Sequence, residues 1–410
     1  MSTVIIYIIN ILLLVAISCW SYGRYKSSPL KKYFWPALLF KISCGVLLGQ
    51  LFYIYYEGGD TIRYYTEAVS LSNLEFSSFY SAISEGTLSS QPVRAIYFVR
   101  FVAVIKFLTH ADYWLLSAYF SLFSFLGAFY FSSKLMQWKE GLKTPVILSF
   151  LFFPSLVFWS SGLLKDSLAF GSLTFLLGTY FSWYQNRKLH LGNVLICLVA
   201  FVIIVSFKYY IAAVLIPLLF YLTLYYLPIW EKWGITVLWK KTGLLVASLT
   251  IPMLVFFVWL SPNLSYQRLW QIMQQNHDAY IRLAPEGAVY TLDWFGNSLD
   301  VLVNLSYLWF SGLFRPLIGE GFHFPVILSS LENGFLLAGS VISTVHFFRH
   351  NVKWTAELLA TLVYISILSI FLSYATPNFG TLARYKIYYA PFFVMLITYQ
   401  LQSLPIFRKN

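Results

Sequence analysis

The sequence has 410 residues, 59% hydrophobic and 11% charged, with a net charge of +12. A soluble chain carries roughly 25% charged residues, so this composition excludes an ordinary globular protein and makes lipid the natural solvent. The positive excess sits in scattered pairs between apolar runs rather than in a basic domain, which excludes nucleic acid as its reason and fits the cation bias of cytoplasmic loops.

The apolar runs are continuous and lack period-two alternation, so they read as helices rather than as a β-barrel. In chain order, runs able to cross roughly 30 Å of hydrocarbon fall at 3–20, 33–56, 112–133, 145–162, 168–184, 190–207, 210–228, 243–261, 326–348, 355–374 and 387–405. The expected fold is therefore all-α, a polytopic bundle of about 11 spans forming one transmembrane domain over 1–410. The first run has no preceding basic region and no small-residue cleavage site, and reads as a retained span. Cys19, Cys44 and Cys197 all lie inside apolar runs and offer neither metal-ligand spacing nor a disulfide framework.

Connections rich in Lys and Arg occur at Arg24/Lys26/Lys31/Lys32, Lys134/Lys139/Lys143, Arg187/Lys188, Lys232/Lys240/Lys241, Arg349/Lys353 and Arg408/Lys409. Placing all six in the cytoplasm puts the N-terminus outside and the C-terminus inside. Most acids then fall at the outer face: Glu57, Asp60, Glu67, Glu75, Glu85, Asp166, Asp278, Glu286, Asp293, Asp300, Glu320 and Glu332. Acids contribute little to orientation, so this polar face needs another reason. Solvated loops suffice for Glu75, Glu85 and Glu286.

Two outer loops are long, 57–95 and 262–325. Their patterns at Tyr64–Leu71, Phe76–Ile83 and Leu269–Met273 predict amphipathic helices on the membrane surface. The stretches 96–109 and 300–314 are charged or short, and are expected to be interfacial or re-entrant. The chain shows no inverted repeat of the transporter kind.

Four outer connections concentrate chemistry. Glu57-Gly58-Gly59-Asp60-Thr61-Ile62-Arg63-Tyr64 turns on its glycines. Asp60 is placed there either to cap the next helix or to accept a proton from a hydroxyl. Ser160-Ser161-Gly162-Leu163-Leu164-Lys165-Asp166 sets a cation and an acid at a tight turn near headgroup level. Phe314-Arg315-Pro316-Leu317-Ile318-Gly319-Glu320-Gly321-Phe322-His323 precedes Glu332, an acid inside an apolar run that needs a partner such as Arg315 or a polar cavity. Asn378-Phe379-Gly380-Thr381-Leu382-Ala383-Arg384-Tyr385-Lys386 offers a planar guanidinium fork and a supporting ammonium for a phosphate, or cations that snorkel. Lys208, in a further outer turn, adds positive charge. His277 beside Asp278 is too little for a metal site, and no P-loop, dinucleotide motif or serine elbow occurs, so no cofactor is expected.

This layout resembles the GT-C class of membrane glycosyltransferases and bacterial polysaccharide repeat-unit polymerases. The resemblance spans most of the chain in layout and is specific only at these short motifs. Asp60-Thr61 stands where the class usually has an Asp-Glu pair, in a loop after the second span rather than the first. The resemblance implies a periplasmic-face transferase of the cell inner membrane. Its donor would be a polyprenyl-phosphate or diphosphate sugar, its acceptor a glycan or lipid, and its other partners membrane lipids. It implies catalytic roles for Asp60, Asp166 and Glu320 and phosphate contacts from Lys165, Arg315, Arg384, Lys386 and Lys208. Arg63, Tyr64, Glu332, Asn378 and His323 would support the acceptor. The competing expectation is a lipid-linked-sugar flippase or other transporter, which needs a polar path reaching both faces.

Overall fold

The computed structural model describes residues 3–26, 28–85, 93–139, 141–186, 191–227, 230, 233, 237–246, 266–283, 288–290 and 298–402. Regular structure among them is helical, apart from one isolated bridge between Val289 and Asn378. Among the described residues, six helices are long and apolar enough to cross a membrane: Thr3–Gly23, Lys31–Tyr55, Tyr113–Trp138, Leu191–Tyr225, Phe324–Arg349 and Ala356–Ala375.

The first helix, α1 (Thr3–Gly23), shows why lipid is the solvent. Its buried residues are Asn10, Ser18 and Ser21, while Val4, Leu12 and Trp20 are more than 60% exposed. That inside-out pattern is unfavourable in water and natural in hydrocarbon, where polar groups must find protein partners. Asn10 donates to the Thr109 carbonyl at 3.0 Å and accepts from Tyr119 at 2.8 Å.

The chain divides into two compact units, Met1–Tyr209 and Tyr210–Asn410, a division that the even series of apolar runs does not announce. In the first unit follow α2 (Phe34–Gln50), α3 (Asp60–Ser72), α4 (Phe76–Glu85), α5 (Val93–Thr109), α6 (Tyr113–Trp138), α7 (Lys143–Val146), α8 (Pro154–Trp159) and α9 (Lys165–Asn186). The helix α10 (Leu191–Tyr225) carries the chain into the second unit. That unit holds helical turns at 238–246, then α11 (Tyr266–Leu283), α12 (Ser298–Val303), α13 (Leu305–Phe314), α14 (Phe324–Arg349), α15 (Ala356–Ala375), α16 (Phe379–Tyr385) and α17 (Ala390–Leu401).

Several of the eleven expected runs do not form such a helix of their own among the described residues, for identifiable reasons. The run 145–162 is broken at Pro154: Phe153 is extended, and the residue before a proline avoids helical backbone. The runs 190–207 and 210–228 are two helices that meet at a kink at Lys208, where the backbone leaves helical geometry, and together they count as one of the six. At about 1.5 Å per residue, the 12 residues of α17 are too short to cross. The 168–184 run lies in α9, which is helical but not among the six. Most of the 243–261 run lies outside the described residues.

The main helix pair of the first unit is α6 against α9, and small residues make it. Ser117, Ser121, Ser124 and Gly127 of α6 and Ser167, Gly171, Thr174 and Gly178 of α9 are all spaced to share a helix face. A Cβ on Gly127 would lie 2.3 Å from the Gly171 carbonyl oxygen. The amphipathic loop pattern over Tyr64–Leu71 is helical as expected, but the apolar face of α3 packs on protein: Tyr64, Ala68 and Leu71 share a core with Ala95, Phe98 and Val102 of α5.

Because overpacking a tight core costs about 1–3 kcal/mol, Gly127→Val is expected to lower the unfolding temperature of the purified protein in detergent. Leu12→Ala, at a 63% exposed position, should leave it unchanged within a degree or so.

Candidate functional site

The sequence-selected residues gather into two polar clusters, one within each unit. In the first unit, α2 ends in a π-helical turn over Leu51–Tyr55. The chain then reverses through Glu57 (φ 49°) and Gly59 (φ 109°). Gly59 lies against the Phe52 ring, where a Cβ would approach to 2.8 Å, so the position combines left-handed backbone with no room for a side chain. Asp60 opens α3 but is not its cap; Gly59 occupies that position, and no side chain caps the helix. Asp60 is half-buried and Arg63 is exposed.

Thr61, fully buried, ties this corner to the turn before α9: its hydroxyl donates to the Leu163 carbonyl at 2.8 Å and lies 2.9 Å from the Tyr113 hydroxyl. The turn itself is held by the Gly162 N–H donating to Ser121 Oγ at 2.9 Å and by Ser124 donating to the Ser160 carbonyl at 2.7 Å. Lys165 lies over the Tyr64 ring at 4.8 Å, a cation–π contact. Asp166 is buried and forms an ion pair with Lys208 at 2.7 Å. Lys208 can reach it because the α10 backbone leaves helical geometry there (φ −142°, ψ 54°). Asp166 and Lys208 are thus each other's buried counter-ions. Neither presents its charge at a surface, whereas Lys165 keeps partial exposure.

Sequence reasoning passed over Lys41 in this unit. It sits within α2, is 4% exposed, donates to Ser160 Oγ and lies 5.2 Å from the centre of the Phe170 ring. The available signal was a single cation inside an otherwise apolar run.

In the second unit the Arg315 loop and the Asn378–Lys386 segment come together. Lys386 is buried and donates from Nζ to the carbonyls of Leu313 and Arg315, each at 2.9 Å, and to Asn333 Oδ1 at 3.0 Å. Burial pushes its pKa down and the Glu332 carboxylate opposes that shift; three simultaneous acceptors need the three donors of an ammonium. Its donors are therefore spent on the loop, and it positions Arg315 rather than facing a ligand. Asn333 completes the fastening by donating to the Pro316 carbonyl at 3.0 Å.

Arg315 is held differently. Its guanidinium lies close to the Tyr290 and Tyr307 rings, at 4.9 and 5.1 Å, and its Nε is 3.2 Å from Glu320 Oε1. Its partner is Glu320, not Glu332 as the sequence suggested. Glu320 is in turn oriented by the Leu317 N–H at 2.7 Å. The two terminal nitrogens of Arg315 hydrogen-bond to no described residue. Tyr290, which the sequence did not single out, is fixed by its hydroxyl donating to the Ser373 carbonyl at 2.5 Å and by its N–H donating to Pro377 O at 3.2 Å. Burial raises the Tyr290 pKa, keeping the phenol protonated.

The bridge between Val289 and Asn378 joins this loop to the head of α16, where Asn378 Oδ1 accepts the Thr381 N–H at 2.9 Å. Arg384, half-buried, has its guanidinium 5.3 Å from the Tyr385 ring. His323 is exposed at the head of α14. His277 is committed structurally, stacked on Tyr374 with Nδ1 2.8 Å from the Tyr374 carbonyl. Among the described residues no group of three His, Cys, Asp or Glu could hold a metal. Comparison with protein-family models, curated proteins and solved structures gave no match.

Breaking a buried ion pair from one side strands a charge and costs about 3–5 kcal/mol, while replacing both partners by apolar groups is far milder. Asp166→Asn and Lys208→Met are each expected to lower the unfolding temperature in detergent strongly. The double variant Asp166→Leu/Lys208→Met should recover most of the loss.

Proposed function

We propose that this chain is a membrane glycosyltransferase that moves a sugar or oligosaccharide from a polyprenyl-phosphate or polyprenyl-diphosphate donor to a glycan or lipid acceptor. The proposed setting is the periplasmic face of the inner membrane, in cell-surface polysaccharide synthesis, with repeat-unit polymerisation as the specific form. The observation that carries the reading is Arg315. A guanidinium that lies close to two tyrosine rings and is ion-paired with Glu320 through Nε has terminal nitrogens that bond to no described residue, and these suit a bidentate anion.

In this reading the acceptor hydroxyl loses its proton to a carboxylate and its oxygen attacks the anomeric carbon. The bond from that carbon to the phosphate oxygen breaks, and the lipid phosphate leaves with the electron pair. Arg315 takes up the charge that develops on it, with Arg384 as a second cation. Glu320 and Lys386 orient Arg315, one through its side chain and one through its backbone. Asp166 is assigned to holding Lys208, not to proton transfer.

The flippase reading draws on one observation, the buried Lys41 within α2, since an ionisable residue inside a span is a default marker of a polar path.

The test uses purified protein in proteoliposomes supplied with a polyprenyl-diphosphate oligosaccharide. Glycosidic-bond formation is expected, falling about 100-fold or more in Arg315→Ala. Arg315→Lys should stay low, because a point charge lacks the fork. Movement of the lipid-linked sugar across the vesicle without a new glycosidic bond would overturn the reading, as would wild-type rates in Arg315→Ala and Arg315→Lys.

A further inference from the structure

The C-terminal half of α14, beyond the part that carries Asn333, borders a second feature of the same unit. A cavity of about 220 Å³ opens between α14, α15 and α17, lined among others by Ser343, Phe347, Phe348, Trp354, Leu358 and Ile397. Its lining is mostly aliphatic and aromatic, with a few hydroxyls and one amide, Gln400. Two of the three helices that form it are long and apolar enough to cross a bilayer.

At one end of this cavity the chemistry changes. Trp354 packs on Phe347 at 5.1 Å and on Trp239 at 6.0 Å, and both tryptophans are exposed. Each aromatic is flanked in sequence by cations: Arg349 follows Phe348, Lys353 precedes Trp354, and Lys240 and Lys241 follow Trp239. The contact between the two tryptophans therefore brings two basic segments together. Arg349, Lys353 and Lys240 are exposed, and Lys241 holds its ammonium 4.8 Å from the Tyr225 ring. Among the described residues of this neighbourhood the acid is Glu357, which accepts a hydrogen bond from the Tyr226 hydroxyl. Cations thus outnumber it.

We infer that this end of the second unit binds an anionic phospholipid, one acyl chain lying in the cavity between α14, α15 and α17 and the phosphate meeting Arg349, Lys353 and Lys240. An apolar slot between membrane-type helices suits a hydrocarbon chain. Exposed tryptophans suit the headgroup level, and clustered cations next to a span select anionic over zwitterionic lipid. A soluble anion would use the cations but leave the slot without a role. A zwitterionic lipid would use the slot but gain little from four cations. The inference does not depend on the proposed transferase activity, because none of these residues belongs to the Arg315 or Asp60 clusters.

The experiment uses the full-length protein, purified and delipidated in mild detergent. It is incubated separately with phosphatidylglycerol, phosphatidylcholine and inorganic phosphate, then read by native mass spectrometry and thermal unfolding. Phosphatidylglycerol is expected to remain bound and to raise the unfolding temperature, and the other two to do neither. Arg349→Gln/Lys353→Gln should weaken phosphatidylglycerol retention at least ten-fold, consistent with about 1 kcal/mol per cation near a membrane surface. The charge-preserving Arg349→Lys/Lys353→Arg should retain it, which separates lost charge from lost folding. Ser343→Leu, filling the cavity, should weaken retention without altering the cations. Equal retention of phosphatidylcholine, stabilisation by phosphate alone, or wild-type retention in Arg349→Gln/Lys353→Gln would each overturn the assignment.

Discussion

Inside hydrocarbon a buried polar group can bond only with protein, and each one left unmet costs several kcal/mol. Much of this structure follows from that constraint. Asn10 turns into the bundle while the apolar side chains of α1 turn out. The hydroxyls of Ser149, Ser161 and Thr174 fold back onto carbonyls one turn earlier. Lys41, alone in α2, finds the Ser160 hydroxyl and the face of Phe170. The same pressure selects small residues between α6 and α9, where close backbone approach replaces the hydrophobic effect that lipid does not supply.

The constraint also separates two kinds of cation. Lysine presents three donors around a point, so a buried lysine such as Lys386 is satisfied only when neighbouring acceptors surround it, and nothing is then left over for a ligand. Lys208 is likewise committed within the protein, ion-paired with Asp166. Arginine spreads five donors along a planar fork. Arg315 can therefore be held by ring contacts and by an ion pair at Nε while its terminal nitrogens bond to no described residue. The second cluster combines both kinds, since the spent lysine fixes the loop that carries the arginine. In the first cluster the buried pair at Asp166 and Lys208 secures the head of α9, and the half-buried Asp60 and Lys165 stay near the surface.

Much of this was legible from composition and spacing. The apolar runs marked the long helices at 3–20, 33–56, 112–133, 326–348 and 355–374, because hydropathy over some twenty residues is a local property. Helical spacing marked α3, α4 and α11, although for α3 it could not tell a face that packs on protein from one that faces lipid. Each of the four motif segments proved to belong to a polar cluster. Their pairing was not readable: Thr61 bonds to Leu163 across 102 residues, and Lys386 to Leu313 across 73. Nothing local to either end of such a contact specifies the other.

The sequence by itself determined that this is an all-helical chain with helices suited to a membrane, and which short segments carry its polar chemistry. Solvent preference is summed residue by residue, and a run of apolar side chains needs no knowledge of its neighbours to state it. Only the tertiary structure decided that Arg315 pairs with Glu320, that Asp166 and Lys208 neutralise each other, and that Lys386 is spent on two backbone carbonyls and the Asn333 side chain. Those outcomes depend on which helix ends lie side by side, and packing geometry sets that. A charge has one composition but many possible partners, and only packing selects among them.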